Sequence, residues 1–78
     1  KERGELDEAL RIHRNELLPV FGRLGDMRER AVVLGRIADI LQVRGELDEA
    51  LRIRREEELP IFELQEDAYS RAVTLGRI

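Results

Sequence analysis

The string RGELDEALRI occurs twice in this chain, at residues 3–12 and again at 44–53. The offset of 41 carries through the rest of the chain. It sets Leu18-Pro19 on Leu59-Pro60, Phe21 on Phe62, Asp26 on Asp67, and Leu34-Gly35-Arg36-Ile37 on Leu75-Gly76-Arg77-Ile78. Residues 3–37 and 44–78 are identical at 23 of 35 positions. A chain that repeats at such a period builds like supersecondary units that stack, because one unit cannot bury its apolar face alone. The chain therefore reads as one repeat region over residues 1–78, with copy one at 3–43 and a truncated copy two at 44–78. Stacked units generally need three or more repeats and polar end caps. The expectation is a slice of a longer array, or a unit that completes its core by pairing with other chains.

Each copy contains two helical patterns. In the first, Asp26 followed by Glu29 reads as a capped start. Ala31, Leu34, Ala38 and Leu41 then form one apolar stripe, and Val33, Ile37 and Ile40 a second. Two stripes mean a helix covered on more than one side. Gly45 stands where a left-handed C-cap belongs. The second pattern starts at Leu47, with Leu47, Ala50, Leu51 and Ile53 on its buried side and an exposed Asp48–Arg52 pair. Its first-copy equivalents are Leu6, Ala9, Leu10 and Ile12, with Asp7–Arg11. Apolar residues continue past the prolines as Val20, Phe21 and Leu24, and as Ile61, Phe62 and Leu64. This predicts a long helix kinked at Pro19 and Pro60. The other reading is a break at which proline opens a short separate helix. The fold class is all-α, with about four helices.

Charged residues make up 40% of the chain, against about 25% in an average globular protein. They are interleaved, 17 acidic with 14 basic, which describes a wet surface and not a nucleic-acid patch. No apolar run is long enough to span a membrane. There is no cysteine, so neither a disulfide framework nor a thiolate metal site is available. A cytoplasmic protein that binds no nucleic acid and no membrane is the default expectation.

The unit Ala38, Leu41, Gly45, Leu47, Ala50 resembles the tetratricopeptide repeat. Leu34, Ile37, Ala38 and Leu41 match that family's helix A, while Gly45, Leu47 and Ala50 match the turn and early helix B. The period of 41 exceeds the usual value of about 34 by seven residues, about two helical turns. The extra length lies in helix B, around Arg54–Glu58, and is similar to the long-helix repeats of kinesin light chains and many bacterial signalling proteins. Glu16 and Glu57 replace the small residue that the family carries late in helix B. The resemblance implies an α-solenoid of antiparallel helix pairs and a protein-interaction scaffold whose partners are proteins or peptides.

The resemblance also places a concave groove on helix A, at Val32, Gly35, Asp39, Gln42 and Val43. The Lys and Asn clamp that some members use for a peptide carboxylate is missing. Two readings stand side by side: Asp39 and Gln42 recognise a basic segment, or they are ordinary solvated polar residues. Gly35 and Gly76, inside helices, mark either close helix packing or the close approach of a bound peptide. In copy one, Leu6, Leu10, His13, Leu17, Val20 and Leu24 form a seam spaced four and three, which copy two interrupts with Arg54, Glu58 and Gln65. That seam is expected to pack on another chain or on further repeats, as a homo-oligomer edge.

Nothing points to catalysis. His13 is the only histidine and its counterpart is Arg54; Ser70 is the only serine. A general base needs a partner within reach, and a metal site needs more ligands than one histidine. Glu56, Glu57 and Glu58 are consecutive on a helix and read as a solvated charge run. No catalytic residue, cofactor or metal is expected. The leading class is an interaction scaffold, and the other is a self-assembling structural unit.

Overall fold

The computed structural model describes residues 3–65 and 67–78; Lys1, Glu2 and Glu66 lie outside them. The described residues form four helices and no strand. Helix α1 is a continuous rod made of Arg3–Ile12, a π-helical turn His13–Leu17, and Leu18–Leu24. Helix α2 is Met27–Val43. Helix α3 repeats the build of α1, as Leu47–Ile53, a π-helical turn Arg54–Glu58, and Leu59–Leu64. Helix α4 is Ala68–Arg77. The body measures 36 × 28 × 17 Å. Helices α1 and α3 flank α2, and α4 packs against the second half of α3.

The prolines neither end the rod nor open a separate helix. A regular ladder would ask Pro19 for an N–H toward the Asn15 carbonyl and would push the pyrrolidine ring into that carbonyl. The preceding turn is widened instead. Leu18 N–H donates to the His13 carbonyl and Leu59 N–H to the Arg54 carbonyl, both five residues back. Leu17 and Glu58, just before the prolines' turn, keep right-handed helical dihedrals, φ −75° in each case.

The widened turn also changes which charges meet. Arg11 pairs with Glu8 at 2.6 Å and with Glu16 at 3.1 Å; Arg52 pairs with Glu49 at 2.7 Å and with Glu57 at 2.9 Å. The second partner is five residues on in both rods, the spacing that a π turn brings to one side. The expected Asp48–Arg52 and Asp7–Arg11 pairs are corrected as well: within the regular helix before the turn the arginines choose Glu49 and Glu8, three residues back. Asp7 lies 3.6 Å from Arg44 instead.

The turns between helices are fixed by the backbone. Asp26 accepts the Glu29 N–H at 3.1 Å, and Asp67 accepts the Ser70 N–H at 3.0 Å, so both helices that follow carry an acidic N-cap. Gly25 and Gly45 hold φ of 71° and 85°. Beyond Gly45 the Glu46 N–H returns to the Leu41 carbonyl at 2.8 Å, and beyond Gly25 the Asp26 N–H returns to Phe21 at 3.0 Å. Only glycine takes that left-handed position without a Cβ penalty.

The core is the two-stripe face of α2 with its covers. Ala31, Val33, Leu34, Ile37, Ala38 and Leu41 are buried, and Ile40 is half-buried. Leu10, Ala50, Ile53, Ile61 and Phe62 close over them. The expected burial of Leu47 is corrected: it is exposed, as are Leu24 and Leu64, because each sits at the end of a rod, past the edge of α2's cover. No helix among the described residues is long and apolar enough to cross a membrane.

Candidate interaction groove

Between α2 and α4 runs a groove of about 310 Å³. Val32, Gly35, Arg36 and Asp39 form its α2 wall. Tyr69, Ser70, Val73, Thr74 and Arg77 form its α4 wall, and Glu58 and Phe62 of α3 lie at its base. Its two walls are tied together at their N-terminal ends, where Arg28 of α2 pairs with the N-cap Asp67 of α4.

Its base holds a buried polar cluster. Arg54 is 1% exposed and Glu58 is 5% exposed. One Arg54 amino nitrogen, Nη2, donates to Asp39 Oδ1 at 2.6 Å and to Gln42 Oε1 at 3.2 Å. The other, Nη1, lies 3.7 Å from Glu58 Oε1, too long for a hydrogen bond, and both of those buried atoms lack hydrogen-bond partners. The buried hydroxyl of Thr74 donates to Glu58 Oε2 at 3.3 Å. Burial holds the Glu58 carboxyl above the usual carboxylate range, opposed by Arg54, Thr74 and Arg77.

This corrects the reading of residues 56–58 as a solvated charge run. Glu56 is exposed and Glu57 half-buried, but Glu58 is enclosed by three helices. Neither Arg54 nor Glu58 interrupts a solvent-facing seam; they fill the junction where α3 meets both α2 and α4. The signal was present in the copy differences. His13, Leu17 and Val33 of copy one become Arg54, Glu58 and Thr74 in copy two, and those three residues are linked in space.

Gly35 serves that junction. A Cβ built on it would stand 2.7 Å from Glu58 Oε2 and 3.2 Å from Glu58 Cδ. The glycine therefore admits a carboxylate from α3, a third role beside the two expected of it. Gly76, its equivalent, has nothing within 4 Å of the same position.

Of the expected groove residues, Val32, Gly35 and Asp39 line this groove together. Gln42 lies toward a second hollow of about 200 Å³ with Leu47, Ala50, Leu51, Arg54, Arg77 and Ile78. Val43 is 71% exposed and lines neither hollow. The groove members that sequence reasoning missed are Glu58, Phe62 and the whole α4 wall. Along the expected seam, Leu10 is buried in the core. Leu6, His13 and Leu17 are half-buried, Leu17 packing against the core, while Val20 and Leu24 are exposed. His13 Nδ1 sits 2.7 Å from the Ala9 carbonyl oxygen. Among the described residues, no group of three or more histidines and carboxylates is placed to hold a metal ion.

Compared with protein-family models, with curated proteins and with solved structures, the chain has no match.

Proposed function

We propose that this chain is a protein-interaction scaffold of tetratricopeptide-like helix pairs, working in the cytoplasm, and that the α2–α4 groove takes a short segment of a partner protein. The observation that carries the reading is the groove itself: two helices held apart over a third, with Val32, Val73, Phe62 and Tyr69 offering apolar surface beside polar groups. Tyr69, 80% exposed on the α4 wall, is the kind of aromatic side chain that interfaces favour. The expected taste for a basic segment is revised by the geometry. Asp39 and Gln42 already accept from Arg54, and Glu58 is enclosed, so the charges left at the rim are Arg36 and Arg77. Apolar segments with acidic side chains suit this rim.

The test is selection from a displayed random-peptide library, followed by anisotropy titration of the selected peptides. The expected sequences pair apolar with acidic residues, and their affinity falls at least tenfold in Tyr69→Ala with Val73→Asp. Arg55→Ala, on an exposed surface away from the groove, leaves affinity unchanged. Peptides whose binding ignores the groove variants, or a library that yields none, would refute the reading.

A further inference from the structure

Helix α2 is covered on two sides, by α1 and by α3, whereas α4 rests on the second half of α3. Exposure follows that difference. Ala31, Leu34, Gly35 and Ile37 of α2 are buried, while 41 positions later Ala72, Leu75 and Gly76 are exposed and Ile78 is half-buried. The rods show the complementary change. Ile53, Ile61 and Phe62 of α3 are 3–4% exposed. Their equivalents on α1 are opened: Ile12 and Phe21 are half-buried and Val20 is 37% exposed. So α4 carries an uncovered version of the face that α2 gives to α3, and α1 carries an uncovered version of the face that α3 gives to α2. The two halves of an interface that meets inside the chain both stand open on its outside.

We propose that these faces dock between copies of this chain, α1 of one copy lying on α4 of the next as α3 lies on α2 within the chain. The differences between the copies fit that contact. Against Gly35 sits the carboxylate of Glu58; the space above Gly76 is open, and the residue brought to it is Leu17, the apolar equivalent of Glu58. In place of Arg54, which requires Asp39 and Gln42, the docking helix brings His13, whose Nδ1 is already held at the Ala9 carbonyl. At these two positions the docking helix brings neither a guanidinium nor a carboxylate. The two faces differ, so the contact is head-to-tail. It propagates, or closes as a ring, and does not stop at a two-fold dimer.

Light scattering behind size exclusion tests this on the 78-residue chain over a concentration series. The wild type is expected to grow beyond a dimer as concentration rises. Leu75→Glu blocks the α4 face and Val20→Glu blocks the α1 face, both at residues already exposed, so each variant alone is a folded monomer by circular dichroism. Ala72→Glu is the second α4-face variant should Leu75→Glu lose helix. Each variant keeps one good face, so an equimolar mixture of the two forms a 1:1 heterodimer and nothing larger. A wild type that is monomeric throughout, a wild type that stops at a dimer, or a mixture that stays monomeric would each overturn the proposal.

Discussion

Gly35 and Gly76 sit in the same local sequence, Leu-Gly-Arg-Ile, and the structure assigns their alanine variants opposite signs. In a helix interior alanine is favoured over glycine by about 1 kcal/mol, with the smaller share at Gly76, in the last turn of α4. Nothing lies within 4 Å of a Cβ on Gly76, so Gly76→Ala keeps that gain. At Gly35 the new methyl meets Glu58 Oε2 at 2.7 Å, with Cδ at 3.2 Å and Oε1 at 3.4 Å behind it. The whole carboxyl group has to move. A surface glutamate would swing away, but Glu58 is 5% exposed, with Thr74 on one oxygen and Arg54 beside the other. Overpacking of a closed site costs about 1–3 kcal/mol, and a loosened buried hydrogen bond about 1 kcal/mol more. Set against the propensity gain, Gly35→Ala is destabilised by about 1–3 kcal/mol. At about 4–8 °C per kcal/mol for a domain of this size, the variant melts several degrees below wild type while Gly76→Ala melts a few degrees above it. Thermal and urea unfolding followed by helical circular dichroism at low protein concentration measures both. In a Glu58→Ala background the clash disappears and Gly35→Ala becomes stabilising. If Gly35→Ala stabilises the otherwise unchanged protein as Gly76→Ala does, Glu58 is not held against α2 and the account of the junction fails.

The same junction governs a pH response. The folded state raises the Glu58 carboxyl above its ordinary range, so it binds that proton more tightly than the unfolded chain does. This group's contribution therefore falls as pH rises from the ordinary carboxylate range through the raised folded value, and is level above it. Urea unfolding of wild type and Glu58→Gln at stepped pH should show the wild type losing ground to the variant across that window; a pH-independent gap contradicts it. Arg54→Ala leaves Glu58 enclosed without its cation and should cost about 3 kcal/mol or more in urea unfolding. The triple exchange Arg54→His, Glu58→Leu, Thr74→Val installs the copy-one residues and should stay within about 1 kcal/mol of wild type, since an apolar set often replaces a buried ion pair without loss. A triple variant as weak as Arg54→Ala would sink that reasoning. Asp67, lowered chiefly by the Ser70 backbone N–H it accepts, contributes above the ordinary carboxylate range and loses that contribution as pH falls through its lowered value. Asp67→Ala should accordingly blunt the acid-side loss of helicity, and an unchanged acid limb argues against the cap. At the other cap, Asp26→Ala should lower stability by about 1 kcal/mol, read from the urea midpoint.

Periodicity made α2 readable in detail, because a helix covered on two sides leaves two stripes in its sequence and Gly45 must take a positive φ. Both flanking rods were also readable as continuous, since apolar residues resume at Val20 and Ile61 after the prolines. Their internal geometry was not. A π turn exchanges one register for another within five residues, and 3.6-residue counting cannot register the change. The salt bridges were misassigned for another reason: on a regular helix both the third and the fourth residue back lie within reach, and Arg52 takes Glu49 at three rather than Asp48 at four. The groove was half readable. Its α2 wall follows from the helical spacing of Val32, Gly35 and Asp39. The far wall depends on how α4 settles against α3, which no local pattern encodes. Glu58 was misread for a related reason. Side by side, three glutamates look alike, and what separates Glu58 from Glu56 is which direction of α3 faces α4.

The copy differences acquire a common logic from this geometry. Positions 13, 17 and 33 of copy one are imidazole, leucine and valine; the matching positions 54, 58 and 74 are guanidinium, carboxylate and hydroxyl. The polar set lies where three helices meet within one chain, and each of its members depends on an atom from another helix. Sliding α3 by one turn along α2 would strip Arg54 of Asp39 and Gln42 and press a charge into apolar surface, so the cluster rewards one register and penalises its neighbours. Of the apolar set, Val33 is buried in the core of α2, while His13 and Leu17 stand half-buried on α1 with no such partner, where a leucine tolerates an approach that a buried carboxylate would not. Near-identical helices in one small chain could pair in several wrong orders. Arg54, Glu58 and Thr74 at the internal junction and His13 and Leu17 on α1 make the two junctions chemically unlike, so the chain can fold on itself first and meet other surfaces second.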